Sequence, residues 1–363
     1  MTKRVFNFSA GPAVLPVQVL EEAQRDLLSL PGVGISPLEI SHRSKWFGGV
    51  LEEASANVRK LYNIPDGYSI LFLQGGSRLQ FSMVPMNLLR GTGKPADYLV
   101  TGSWSSKALP EARLEGEVNV AYDGKPDNFC SVPTSDDLKL SADAAYLYYT
   151  SNETIQGVQF QSEPGDGSAP LVCDASSDIL SRPLDITKYG ILYACAQKNM
   201  GPAGVTMVII RDDVMNAAPD GLHSMLDYRV HAKDNSLANT TPVFAVYISM
   251  LVTRWLLNDI GGLDKMQAQN EAKSAMLYDV LDAHPDLFIG HAEQACRSRM
   301  NVTFRLPDDE TTQKFLAGAA EQDLCELKGH RSVGGIRASI YNAMPTEGVE
   351  KLRDFMLEFA KRG

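Results

Sequence analysis

The sequence predicts an α/β protein: a large domain with a mainly parallel central sheet covered by helices, plus a smaller C-terminal α/β domain. Three observations carry this expectation. From about 68 to 210, short β-rich apolar runs alternate with helical or loop segments. Near-continuous apolar strands of this kind belong to parallel sheets buried on both faces. A strongly apolar helical stretch over about 242–259 has Pro242 in its first turn and Gly261-Gly262 past its end. Beyond it comes a long polar helix over about 263–283, then alternating strands and a closing helix. A boundary near 262 therefore separates a large domain (16–262) from a small C-terminal one (263–363), with 1–15 as an N-terminal segment.

Each element has its own signal. Asn7-Phe8-Ser9-Ala10-Gly11-Pro12 is loop chemistry, and Pro16 can open a helix with a stripe of Leu20, Ala23, Leu27 and Leu30 that Pro31-Gly32 stops. A second amphipathic helix over about 49–62 lines Val50, Leu51, Ala54, Val58 and Leu61 on one face. The clearest strands are 68–73, 98–100, 145–149, 171–173 and 191–194, and a further apolar run covers 205–210. Val349, Leu352, Phe355, Met356 and Phe359 give the last helix its buried face.

Composition narrows the function. With 44% hydrophobic and 21% charged residues, the chain reads as an ordinary soluble globular protein. No run approaches the roughly 20 apolar residues of a membrane span, and the N-terminus lacks the apolar region of a secretory signal. The five cysteines are odd in number and show no CxxC spacing. Cys173 and Cys195 lie in apolar runs, so core thiols in a reducing, cytoplasmic setting are expected. A net charge of −10 argues against a nucleic-acid partner. The dispersed histidines form no ligand-spaced pair, so no metal is expected.

In open α/β sheets, ligands collect at the carboxyl ends of the strands. The run Ile191-Leu192-Tyr193-Ala194 leads into Lys198, then into Gly201-Pro202-Ala203-Gly204. An ammonium at the lip of a core is disfavoured unless paired or neutral, and amines so placed form covalent links with carbonyls. A lysine snorkelling from a strand end fits the same segment. After 68–73 come Gly75-Gly76-Ser77-Arg78, opening a helical stretch. Amides at a helix start, a hydroxyl and a guanidinium make a phosphate cup, although a Gly-Gly turn is often only a turn. Trp104 follows 98–100 and can stack on a planar ring or fill the core. Asp174 ends a buried strand, where it needs a cation or several donors, Ser176 and Ser177 among the candidates. Pyridoxal phosphate asks for this set: an amine, an acid for its pyridinium nitrogen, a stacking aromatic, a phenolate donor and a phosphate anchor.

Six stretches carry a resemblance to a known family. They are Phe6-Asn7-Phe8-Ser9-Ala10-Gly11-Pro12, Ser41-His42-Arg43, Gly75-Gly76-Ser77-Arg78, Ser151-Asn152-Glu153-Thr154, Gln197-Lys198-Asn199-Met200-Gly201-Pro202-Ala203-Gly204, and Lys328-Gly329-His330-Arg331 with Gly334-Gly335-Ile336-Arg337-Ala338-Ser339. The chain resembles, over essentially its whole length, the phosphoserine aminotransferase family within the class V, fold type I pyridoxal-phosphate enzymes. The last stretch is the most specific, because other class V members share the lysine region but not this one.

The resemblance implies roles. Lys198 would bind the cofactor covalently and shuttle the substrate Cα proton, and Asp174 would pair with the pyridinium nitrogen. Thr154 would bond the phenolate oxygen, Trp104 would stack on the ring, and Ser77, Arg78 and Gln197 would hold the phosphate. Asn239 and Thr240 match phosphate ligands donated by a neighbouring subunit, which implies a homodimer with shared sites. Arg337 would clamp the α-carboxylate, while His42, Arg43, His330 and Arg331 would take the distal phosphate or γ-carboxylate. The implied reaction is amino transfer from L-glutamate to 3-phosphohydroxypyruvate, with 4-phosphohydroxy-L-threonine as a related product. Ser77 and Leu79 stand where other members often carry glycine or another small residue, which touches the phosphate contacts without removing a required group. Alanine–glyoxylate transamination, cysteine desulfuration and a non-enzymatic carrier of phosphorylated metabolites are the rivals. Desulfuration needs a cysteine on a mobile loop, whereas Cys325 lies in a stretch that suits core packing.

Overall fold

The computed structural model describes residues 4–362; Met1–Lys3 and Gly363, which the expected N-terminal segment and C-terminal domain include, lie outside the described residues. A seven-stranded sheet forms the larger body. Its strands are β1 (Tyr68–Leu73), β2 (Ala96–Val100), β3 (Val118–Asp123), β4 (Leu147–Thr150), β5 (Leu171–Asp174), β6 (Tyr189–Cys195) and β7 (Thr206–Arg211). They lie in the order β1-β7-β6-β5-β4-β2-β3. Only β7 runs against its neighbours, β1 and β6; the other pairings are parallel. Residues 196–205, which include the Gly-Pro-Ala-Gly turn, join β6 to β7, a connection too short for the crossover that a parallel return needs. β3 is the strand that apolar runs do not reveal. It sits at the sheet edge and is mostly half-buried, so it needs no continuous apolar stretch.

Helices α1 (Val17–Asp26), α2 (Lys45–Tyr62), α3 (Gly76–Leu88) and α4 (Ser103–Arg113) pack with this sheet. The Leu20-to-Leu30 stripe overstates α1. The helix ends at Asp26, whose buried carboxylate accepts from the Tyr247 hydroxyl at 2.7 Å. Leu28 is 90% exposed, and Leu30 is buried from the loop beyond. α2 begins four residues before the periodicity shows, because Ser44 accepts from the Phe47 amide at 3.2 Å as its cap.

α5 (Val243–Trp255) continues as a π-helical turn, Leu256–Ile260, up to Gly261. Residues Val243–Ile260 are long and apolar enough to cross a bilayer by composition, yet they serve here as a core helix with more than half the stretch buried. Arg254 pairs with Glu53 at 2.7 and 2.9 Å, and Asn57 donates to Thr253 at 3.2 Å, tying α5 to α2.

The last third builds a three-stranded antiparallel sheet from β8 (Ile289–Gly290), β9 (Asn301–Arg305) and β10 (Ile336–Ser339). α6 (Leu263–Ala283), α7 (Asp309–Glu321) and α8 (Thr346–Arg362) close a core in which Phe315 meets Phe288, Phe304 and Phe355 edge to face. The start of the chain belongs to this core. Phe6–Asn7 pairs in parallel with Leu324–Cys325, and Phe8 is fully buried there. Lys273 on α6 is buried too. Its ammonium donates to the carbonyls of Ile340, Tyr341, Asn342 and Met344, pinning the turn after β10. Burial pushes that amine down to about 7. From the same turn, the Asn342 amide donates to Asn199 Oδ1 at 2.8 Å, one residue beyond Lys198.

Candidate active site

Lys198 emerges where β6 ends and is half-buried rather than sealed in the core. Its turn is fixed on both sides: Gln197 O accepts from the Ala13 amide at 2.8 Å, and Asn199 Nδ2 donates to Ile179 O at 2.5 Å. Gly11 crosses the lysine stem at φ +142°. A Cβ there would stand 3.3 Å from Lys198 Cγ, so both backbone angle and proximity call for glycine. The ammonium donates to Thr154 Oγ1 at 2.7 Å and stands 5.1 Å from the centre of the Trp104 ring.

Asp174 is the last residue of β5 and is buried. Its Oδ1 accepts from the amide and hydroxyl of Ser176, at 3.0 and 2.5 Å, so local capping is present. Burial pushes the carboxyl up, while the charge of Lys198 and the Ser176 donors pull it back. The Ser176 hydroxyl also meets Ser77 Oγ at 2.5 Å, which joins the acid to the first turn of α3. Gly75 precedes that turn at φ +86°, and the Gly76 Cα faces open space. The amides of such a helix start favour an anion. Leu79 packs under the turn, where a Cβ on Gly75 would collide with it at 2.4 Å. Arg78 is exposed beside it. Gln74 links this cup to a distant loop by accepting from Asn239 Nδ2 and donating to Thr240 O, both at 2.7 Å. Sequence reading assigned Gln74 no role, although a polar residue ending an apolar strand was a usable signal.

The cations divide into two groups. Arg337, on β10, is half-buried and lines a cavity of about 180 Å³ with His330, His291 and Thr303. Among the described residues it has no ion-pair partner, and burial lowers its guanidinium below the ordinary range. His330 is likewise held below the usual imidazole range, by burial first and then by Arg337, Lys107 and Arg331. Lys107 is the member that sequence reading missed, since one lysine on a helix reads as surface. Its Nζ lies 4.3 Å from the centre of the Trp104 ring, so it bridges the cation cluster to the Lys198 side. His42 and Arg43 precede α2 instead. Among the described residues, no hydrogen bond or ion pair joins either to Lys198, Asp174 or Arg337, and His42 Nε2 is buried without a partner.

These residues fit a flat ligand that carries a phosphate. Among the described residues, Trp104 Nε1 and Thr150 Oγ1 are buried with no hydrogen-bond partner, beside the edge where Asp174 and Lys198 stand. The class-V aminotransferase model matches residues 5–352. The chain belongs to the class-V aminotransferases. It is 55% identical over 361 residues to the phosphoserine aminotransferase of Rhodopirellula baltica, covering 99% of this chain and 96% of that one. The solved phosphoserine aminotransferase of Bacillus circulans subsp. alkalophilus superposes with a TM-score of 0.96 at 46% identity, covering 99% of each chain. A pyridoxal-phosphate-bound phosphoserine aminotransferase from Trichomonas vaginalis superposes at 0.92 with 41% identity, over 98% of this chain and 100% of that one. This class-V aminotransferase has the fold type I architecture and takes pyridoxal phosphate as its cofactor. Its mainly parallel sheet is the one expected from the apolar runs.

Proposed function

We propose that this class-V aminotransferase moves an amino group reversibly between L-glutamate and 3-phosphohydroxypyruvate, giving 2-oxoglutarate and O-phospho-L-serine for serine biosynthesis. The observation that carries the substrate choice is the Arg337 guanidinium, without an ion-pair partner among the described residues, beside His330, Arg331 and Lys107. Each amino acid of this pair has an α-carboxylate and a second anionic end, so a bidentate clamp and a separate cation cluster suit both. Alanine–glyoxylate transamination has no use for the cluster. 4-Phosphohydroxy-L-threonine carries the same two ends and belongs to the proposal as a second substrate.

Bound pyridoxal phosphate supplies an electron sink for the bond broken at the substrate Cα. The chain supplies the rest. Asp174 keeps a proton on the ring nitrogen, Thr154 donates to the phenolate oxygen, and Trp104 stacks on the ring. Ser77, Arg78, Gln197 and the first amides of α3 take the phosphate. Lys198 anchors the cofactor and carries the Cα proton, and Arg337 fixes the α-carboxylate so that this proton faces the lysine.

Asn239, Thr240, His42 and Arg43 act, in this reading, across a homodimer interface. Leu28, Val33, Ile35 and Leu38 are exposed in the segment that precedes His42-Arg43, and exposed apolar side chains of that kind suit a second copy of the chain. Residues 16–262 act as the cofactor-binding domain and 263–363 as the smaller one, and Phe8 of the N-terminal segment is buried in the smaller one's core. The five free cysteines suit a reducing, cytoplasmic setting.

Half-reactions test the assignment. L-Glutamate should convert the holoenzyme to its amine form, and 3-phosphohydroxypyruvate should convert it back. Faster recovery with glyoxylate or pyruvate would overturn the substrate choice.

A further inference from the structure

We propose that Glu153 is a positioning residue: its buried carboxylate ties the helix that bears Trp104 to the turn that bears Thr154, and so sets the slot for the cofactor ring. The inference rests on Trp104 acting as the stacking residue. Glu153 is fully buried. Its Oε2 accepts from the Trp104 amide at 2.9 Å, and its Oε1 accepts from the Ser105 amide at 2.9 Å and the Ser105 hydroxyl at 2.6 Å. These amides belong to the first turn of α4, where helix donors lack partners and a negative charge meets the positive end of the helix.

A second brace runs beside the first. The Ser103 amide donates to Gln156 Oε1 at 3.2 Å, and Gln156 Nε2 donates to Ser103 Oγ at 2.8 Å. The approach is close enough to dictate a neighbour. A Cβ on Gly102 would fall 2.4 Å from Glu153 Cδ, so the position needs glycine for space rather than for its backbone angle.

A helix can be capped more cheaply than this. A serine or aspartate at the cap position would satisfy the same donors, whereas a carboxylate imported from another strand's turn must be fully desolvated. Burial does push the Glu153 carboxyl up, against the pull of its Ser105 and Trp104 donors. What the imported carboxylate adds is a fixed relation between two elements. Thr154 is the next residue, and Lys198 Nζ reaches both Thr154, at 2.7 Å, and the Trp104 ring, at 5.1 Å. Glu153 closes that triangle through the backbone.

Glu153→Gln keeps the shape and one acceptor but turns an NH₂ group toward helix donors. In the holoenzyme the cofactor's dissociation constant should rise roughly tenfold, and its visible circular dichroism per bound cofactor should fall. In a Trp104→Ala background the same substitution should change affinity less than about twofold, because the ring it positions is gone. Equal effects in both backgrounds, with unchanged dichroism, would make Glu153 merely structural and overturn the inference. If Trp104→Ala alone leaves cofactor affinity unchanged, the stacking assignment fails instead. Should Glu153→Gln not fold, Ser105→Ala removes one Oε1 donor and should shift affinity and dichroism the same way; no shift would also overturn the inference.

Discussion

Lys198 and Thr154 meet across the end of a third strand. The lysine follows β6 and the threonine follows β4, yet Nζ and Oγ1 lie 2.7 Å apart, spanning β5, whose last residue is Asp174. Amine, hydroxyl and acid therefore converge over one strand end, the arrangement a single planar cofactor needs for its carbonyl, phenolate and ring nitrogen.

Lys198→Ala should abolish the borohydride-reducible visible band of the holoenzyme and with it the glutamate half-reaction. Survival of that band would assign the anchoring amine to another residue.

Asp174→Asn should separate stability from activity. Burial raises the folded carboxyl above its ordinary range, so the folded apoprotein holds this proton more tightly than the unfolded chain does. Its contribution to stability therefore falls as pH rises from about 3.8 through the folded value, and the penalty is full above that. The neutral amide escapes it. The apo variant should melt higher than the parent at pH 7, with the gain vanishing near pH 3, while activity falls by roughly 10²–10³-fold or more. A lower melting temperature at pH 7 would show that the ionised form is fully compensated.

The parallel sheet was legible because buried strands must be apolar, and glycine-rich turns marked where they end. Gly75-Gly76, Trp104, Asp174 and Lys198 were readable for the same reason, as polar or special residues stopping apolar runs. What escaped were groups whose meaning depends on distant partners. Glu153 looks like any loop acid until the α4 amides arrive at it. Lys107 looks like surface until the 328–337 segment brings His330 within reach of its charge. Lys273 sits in a polar helix, and only the carbonyls of 340–344 explain its burial. The α1 stripe failed because Leu30 is buried from a loop, which periodicity cannot distinguish from a helical position.

Arg337→Ala should weaken binding of both glutamate and phosphoserine by about 2–5 kcal/mol, the cost of truncating one partner of a buried charge pair. Arg337→Lys should recover only part, because a point charge cannot replace the bidentate fork. Both losses should appear in substrate affinity, with the cofactor spectrum unchanged. Equal affinity for the alanine variant would refute the carboxylate clamp.

His330 offers a test of the cluster whose sign is fixed in advance. Burial and the charges of Arg337, Lys107 and Arg331 hold its imidazole below 6.5, so it is mostly neutral at pH 7 in the free enzyme. Removing a cation favours the protonated ring. Lys107→Ala should therefore move the His330 titration, followed by histidine-selective NMR, to higher pH, and inorganic phosphate should move it further the same way. The kinetic consequence is less obvious. Lys107→Ala deletes one attraction for the phosphorylated end and should raise the KM for phosphoserine by about two- to fivefold, the scale of an exposed ion pair. As pH falls, the variant's His330 acquires its proton earlier than the parent's and replaces part of the lost charge. The KM penalty should accordingly be larger at pH 8 than at pH 6. A penalty independent of pH would mean that Lys107 and His330 do not share a ligand.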